Sequence, residues 1–194
     1  LSLAGGARRA GAGRKPRGAR AGVAHRSRGE WTRPMPLHVT LRMAPHVYNL
    51  RSRRSFRVIA AALRLGGDRF DVRVVELSVQ GNHIHLVVEA PDRGALARAI
   101  QGLSIRVAKG LNRMMGRTGR VFDDRYHAHL LRTPTEVRNA LHYVLGNARK
   151  HAAQRGETYP RGYVDPYSSA GATDLALPPA RTWLLRTGGK RAGP

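Results

Sequence analysis

Cysteine is absent from the 194-residue chain, which removes disulfide scaffolds, zinc ribbons and thiol catalysis from consideration. Any metal must then be held by His, carboxylate, Asn or Gln. Long apolar runs are missing too. The longest, Val58 to Leu63, falls far short of the ~18 residues a transmembrane span requires. Acidic residues are scarce, with 12 Asp+Glu against 35 Lys+Arg and a formal net charge of +23. A charge of that size and sign calls for a polyanionic partner, and nucleic acid fits better than a membrane surface. With 41% hydrophobic residues the chain still has the means to bury a core, so it does not read as a disordered polycation.

The charge is uneven along the chain. Residues 1–34 hold nine Lys/Arg, one acid and seven glycines without apolar periodicity, the composition of a flexible basic arm. This arm has no hydrophobic segment followed by a small-residue cleavage site, so it does not read as a secretory signal. Residues 152–194 carry Pro160, Pro166, Pro178, Pro179 and scattered Gly, and read as an irregular tail draped on the core through Trp183, Leu184 and Leu185.

Residues 35–151 carry the secondary-structure signal. Alternation predicts strands over Leu37–Arg42, Phe70–Val79 and His83–Glu89, with the last two joined by a Gln80-Gly81-Asn82 turn, and a further strand over Tyr126–Arg132. Phe56, Ile59, Ala60 and Leu63 lie at helical spacing within Arg53–Leu65. Asp92 is placed to cap a helix to about Met115 whose apolar positions are Leu96, Ile100, Leu103, Val107, Leu111 and Met114. Thr135 is placed to cap a last helix from about Glu136 to His151. The order β-α-β-β-α-β-α predicts an α+β fold: a ferredoxin-like antiparallel sheet with two helices on one face and an additional C-terminal helix free to lie on the other.

Two features carry chemistry. In Asn82-His83-Ile84-His85-Leu86-Val87-Val88, a strand sends Ile84, Leu86 and Val88 to one face and His83 and His85 to the other. There the two imidazoles either share a divalent ion or simply face solvent. On the last helix, Tyr143 and Asn147 are one turn apart, and a Tyr in that setting is otherwise an ordinary packing residue.

Taken with the element order, the His83-Ile84-His85 motif after Gly81-Asn82 and the downstream Tyr143-x-x-x-Asn147 helix resemble the single-tyrosine HUH (His–hydrophobic–His) transposases. The nearest branch is the REP-associated tyrosine transposases. The resemblance runs from about His38, through Phe122-Asp123-Asp124-Arg125-Tyr126-His127, to Asn147-Ala148-Arg149. It departs at Gln80-Gly81, where many relatives have Met-Pro, and at Asn147-Ala148, where many have Asn-Pro. It implies cleavage and rejoining of single-stranded DNA at hairpin-bearing ends, in DNA transposition or recombination. In that mapping Tyr143 is the nucleophile and forms a 5′-phosphotyrosine. His83, His85 and Asn147 hold a divalent metal, Mg or Mn. Arg42, Arg53, Arg54, Arg125, Arg149 and Lys150 are the expected phosphate contacts, and Tyr126 or Trp31 the candidates for stacking on a base. The resemblance also implies a cytoplasmic, nucleoid-associated, bacterial-type protein, monomeric or homodimeric.

The second His-x-His, His127-Ala128-His129, ranks below the first because no Tyr-bearing helix turn follows it at the same spacing. Two other functions compete. One is a non-catalytic nucleic-acid-binding protein, such as a domesticated transposase. The other is a two-histidine phosphoesterase, for which His38-Val39-Thr40 fits the first motif while His83-Ile84-His85 lacks the second hydroxyl.

Overall fold

The computed structural model describes residues 30–66, 70–154 and 156–192, so most of the basic arm lies outside the described residues. The main elements follow in order: β1 (Met35–Arg42), α1 (Arg53–Arg64), β2 (Arg73–Val79), β3 (His83–Ala90), α2 (Arg93–Met114), β4 (His127–Leu130) and α3 (Pro134–Gln154), with short helical turns at Thr173–Leu175, Leu184–Gly188 and Gly189–Arg191 after them. The strands form one antiparallel sheet in the order β2-β3-β1-β4. This is the expected α+β architecture, with the crossovers of a ferredoxin-like sheet.

The alternation of β1 and β3 sets the two layers. Leu37, Val39, Leu41, Ile84, Leu86 and Val88 join the main core with Ile59 and Leu63 of α1 and Leu96, Ile100, Leu103, Val107 and Leu111 of α2. The two helices meet closely at Gly110, where a Cβ would come within 2.5 Å of Val58 Cγ1, so a larger residue there forces them apart. On the opposite face Val87 packs with Leu131, Val137, Ala140, Val144 and Leu185. That smaller cluster seats α3 across the sheet face that the first two helices leave free.

Element ends differ from expectation for local reasons. Phe70 and Asp71 have positive φ (61° and 58°), a left-handed turn that no strand tolerates, so β2 begins at Arg73 despite the alternating side chains before it. The cap of α3 is Thr133, not Thr135. Its hydroxyl accepts from the Glu136 N–H at 3.2 Å, and the Glu136 carboxylate accepts in return from the N–H groups of Arg132 and Thr133. This is a capping box, and it leaves Pro134 at the first helical position, where a missing N–H does no harm. Asp92 caps α2 as expected, accepting from Ala95 N–H at 2.8 Å.

Part of the C-terminal segment is clamped to the sheet by buried charge. The Glu89 carboxylate accepts from the backbone N–H groups of Arg181 and Thr182, with 2.9 and 2.6 Å contacts, and Arg73 stands 3.8 Å away. Leu185 is buried, but Trp183, expected to anchor the tail, is 57% exposed. Trp31 is buried, its indole N–H donating to Ala90 O, which withdraws it from base stacking. Removing the Glu89 carboxylate takes the counter-charge from buried Arg73, which keeps only its bond to Pro179 O among these contacts, and leaves two N–H groups without their acceptor. Glu89→Ala is therefore expected to lower unfolding free energy by about 3–5 kcal/mol, read by urea denaturation, and to hasten proteolysis of the C-terminal segment.

Candidate active site

Strand register assembles a polar patch beneath α3. Thr40 pairs with His85 and Arg42 with His83. On the other side of β1, His129 pairs with His38 and His127 with Thr40. Directly paired residues share a face, so His83, His85, His38 and Thr40 stand together on the side that α3 covers.

Hydrogen bonds orient the two imidazoles of the His-x-His motif. His83 Nδ1 lies 2.6 Å from Asn82 Oδ1. An amide oxygen only accepts, so Nδ1 carries the proton and Nε2 keeps its lone pair. His85 Nδ1 lies 3.2 Å from Thr40 Oγ1 and 3.3 Å from His38 Nε2. With Nδ1 as the donor to either group, Nε2 is free to ligate, the usual way a neighbouring group fixes the tautomer of a metal-binding His. The two rings are nearly parallel, at 9°, with centroids 6.0 Å apart.

From the other side, α3 delivers a stripe of residues at four-residue spacing: Tyr143, Asn147 and His151. The Tyr143 ring meets His85 edge-on, with centroids 5.3 Å apart, and His38 at 5.6 Å. It remains 39% exposed, open to a ligand from solvent. The Lys150 ammonium stands 5.3 Å from the ring centroid. Asn147, one turn on, is 1% exposed and neither its amide nitrogen nor its oxygen has a hydrogen-bond partner. A buried, unsatisfied carboxamide is expensive, and a bound ion or its water shell would satisfy it.

Burial keeps these imidazoles neutral. Desolvation, then the neighbouring His38, His83 and His151, pull the His85 pKa down to about 3. Desolvation, then His127 and His129, pull His38 down to about 4. His83 is lowered as well, by desolvation first and then by Arg42 and His151. Neutral imidazole is the form that ligates. The same shifts set a stability window. Unfolded His titrates near 6.5, so between that pH and about 4 the unfolded chain binds protons that His38 and His85 refuse. Stability is then complete above about pH 6.5 and falls on acidification, by about 1.4 kcal/mol per pH unit for each histidine. Urea midpoints at pH 7.5, 6.0 and 4.5 should show this slope, and His85→Gln should flatten it.

The expected phosphate contacts separate into groups. Lys150 stands at the Tyr143 ring. Arg42 flanks His83 and pairs loosely with Asp123 at 3.6 Å. Arg125 sits in the loop before β4. Arg53 and Arg54 open α1, in the layer behind the sheet, and Arg54 donates to Met114 O. Arg149 donates to Tyr163 O at 3.1 Å. Tyr126 packs against the core, with its hydroxyl buried. His127 and His129 lie on the outer strand β4, where His129 faces Glu136 at 3.8 Å.

Residues outside the expected site set also converge here: His38, Thr40 and His151. The signal for the first two is the alternation His38-x-Thr40 on β1, in step with His83-x-His85 on β3. For His151 it is a second four-residue step beyond Asn147. Among the described residues, no group of three or more His, Asp or Glu is placed to hold a metal ion. The donor set that fits one is two neutral imidazoles and the unsatisfied Asn147 amide, a partial shell that leaves positions for phosphate oxygens and water.

Comparison with known proteins bears on the same region. The family model described as "Transposase IS200 like" matches residues 49–146. A solved REP-associated tyrosine transposase bound to a REP hairpin is similar in fold, with a TM-score of 0.57 at 15% identity over 88% of this chain and 99% of that one. A structure from Deinococcus radiodurans R1 described as a transposase aligns at a TM-score of 0.44 and 12% identity, over 70% of this chain and 100% of that one. No curated protein matches the chain.

Proposed function

The chain belongs to the IS200-like transposase family, and from that premise we propose that it cuts and rejoins single-stranded DNA through Tyr143. The observation that carries this reading is the Tyr143 ring edge-on to His85 within one polypeptide, which favours assembly of the site in cis. The Tyr143 oxygen attacks a backbone phosphorus. The Oη–P bond forms, the P–O3′ bond breaks, the phenol proton leaves to solvent and the departing 3′ oxygen takes one up. The products are a 5′-phosphotyrosine and a free 3′-OH. Bond energy is retained in the phosphotyrosine, so another 3′-OH can reverse the step and join a new strand without ATP.

A divalent metal, Mg or Mn, would be held by His83, His85 and Asn147 and would withdraw charge from a non-bridging phosphate oxygen. The chain's own groups do the rest. Thr40, His38 and Asn82 fix the two imidazoles. Lys150 and Arg42 supply positive charge on either side of the pocket. The apolar contacts of Val137, Ala140 and Val144 hold α3, and so the phenol, against the sheet.

The substrate this reading favours is a DNA hairpin with an unpaired flank, the class to which the REP-hairpin complex of similar fold points. The test is a 5′- or 3′-labelled hairpin oligonucleotide incubated with Mn or Mg and run on a denaturing gel. A covalent protein–DNA band retaining the label on the 5′-phosphate side of the cut is expected. Strand scission with no such band, or with the label on the other side, overturns the assignment.

A further inference from the structure

A pair of aromatic rings sits beyond the catalytic pocket without contributing to either hydrophobic cluster. Tyr159 and Tyr163 lie face to face, with centroids 3.9 Å apart and planes within 5°. Both are half-buried. The turn between them is built for this. Tyr163 N–H donates to Pro160 O at 3.1 Å, and Gly162 takes a φ of 84°, the left-handed conformation that glycine adopts freely at the third position of such a turn.

Two anchors tie this turn to the site. Arg149 of α3 donates to Tyr163 O at 3.1 Å and reaches Pro160 O at 3.5 Å. Arg149 is six residues after Tyr143 on the same helix, a rise of about 9 Å. Arg51 stands near both phenols. It is held in a two-pronged ion pair with Asp165, at 2.8 and 2.9 Å. It also donates to Val79 O beside the β2–β3 turn that precedes His83. Arg51 and Asp165 offset each other in charge, which leaves Arg149 as the cation beside the rings at the His83 end of the sheet. Exposed Arg161 lies in the turn itself.

We infer that the Tyr159–Tyr163 stack is a platform for an unpaired base of the DNA strand that passes Tyr143, with Arg149, Arg161 and Lys150 drawing in its phosphates. This rests on the strand-transfer reading for the identity of the ligand but not on its chemistry. Every base offers a π face, so the contact is sequence-tolerant. A stack pre-formed by the turn and by Arg149 loses little freedom when a base is added.

The experiment uses the full chain in chelator, so that no strand is cut. Affinity is measured by fluorescence anisotropy for labelled (dT)12 and for an abasic strand of equal length, which reports electrostatics alone. Wild type should bind (dT)12 more tightly. The Tyr159→Ala, Tyr163→Ala double variant should weaken (dT)12 binding roughly five- to a hundredfold and leave abasic binding unchanged. Tyr→Phe at both positions should retain the preference. Equal affinity of wild type for the two strands, or an unchanged (dT)12 affinity in the double variant, overturns the platform. Should the alanine variant fail to fold by circular dichroism, cross-linking of wild type to 5-iodouracil oligonucleotides decides. Adducts on Tyr159 or Tyr163 support the platform, and adducts only elsewhere refute it. Loss of base preference in the variant without any phosphotyrosine in wild type would keep the platform and remove the transferase. A phosphotyrosine with no base preference would do the reverse.

Discussion

Tyr143→Phe is expected to abolish the covalent DNA adduct while binding of the hairpin oligonucleotide stays within about twofold. The substitution deletes one oxygen and keeps the ring that packs edge-on against His85 and His38. The hydroxyl has no part in the apolar contacts that hold α3 to the sheet, so the fold should be indifferent to it. A nucleophile has no substitute, and the loss in rate should reach at least about a thousandfold. Binding rests mostly on many cationic side chains spread over a chain of net charge +23, none of which changes. Denaturing gels measure the first quantity and anisotropy titration the second. An adduct that survives in the variant places the nucleophile elsewhere. Binding lost along with the adduct makes Tyr143 a structural residue.

The sheet and its helices were legible because periodicity reports burial. Ile84, Leu86 and Val88 alternate with His83, His85 and Val87, and the structure puts the first set in the main core and the second under α3. The stripe Leu96, Ile100, Leu103, Val107, Leu111 is likewise buried, and its last member, Met114, is partly buried against the same core. Element ends were less legible because they depend on backbone conformation that side-chain pattern does not encode. Phe70 continues the alternation of Val72 and Val74, yet a left-handed turn at Phe70 and Asp71 keeps it out of the strand. Side-chain type alone points to Thr135 as the cap of the last helix, and the reciprocal bonds between Thr133 and Glu136 put it two residues earlier.

The site was legible in part for a related reason. Strand alternation puts His83 and His85 on one face and one helical turn puts Tyr143 beside Asn147, while the family resemblance is what singles these four out. His38 and Thr40 are more than forty positions from His85 in sequence (|i−j| of 47 and 45), and only the β1–β3 register brings them to its Nδ1. The Tyr159–Tyr163 stack is similar: four-residue spacing in a Pro/Gly-containing segment gives no helix signal, and the turn that closes it is a property of Gly162. Cationic surface was the least legible, since the Arg residues flanking the motifs divide between the pocket rim, a tail anchor and the helix layer behind the sheet.

His85→Ala should remove metal-dependent cleavage, by two orders of magnitude or more, and weaken Mn binding in the absence of DNA. His85 is 6% exposed, and its Nδ1 contacts to Thr40 and His38 leave Nε2 as the atom available to an ion. In the proposed shell of His83, His85 and Asn147, deleting the ring takes away one of three donors. The orienting contact should matter less. Thr40→Val removes one acceptor while His38 still faces Nδ1, so Mn affinity is expected to fall only about tenfold, the lower end of what a supporting group contributes. Calorimetric titration of Mn into each protein without DNA separates the two substitutions, and cleavage assays with and without chelator test the role of the ion. Chelator-resistant cleavage in wild type would transfer the chemistry from the proposed ion to the His38–His85 pair, with Thr40 beside it, as a metal-free phosphoesterase requires. If His85→Ala leaves both Mn affinity and cleavage intact, the His-x-His strand is part of the sheet's polar face and nothing more.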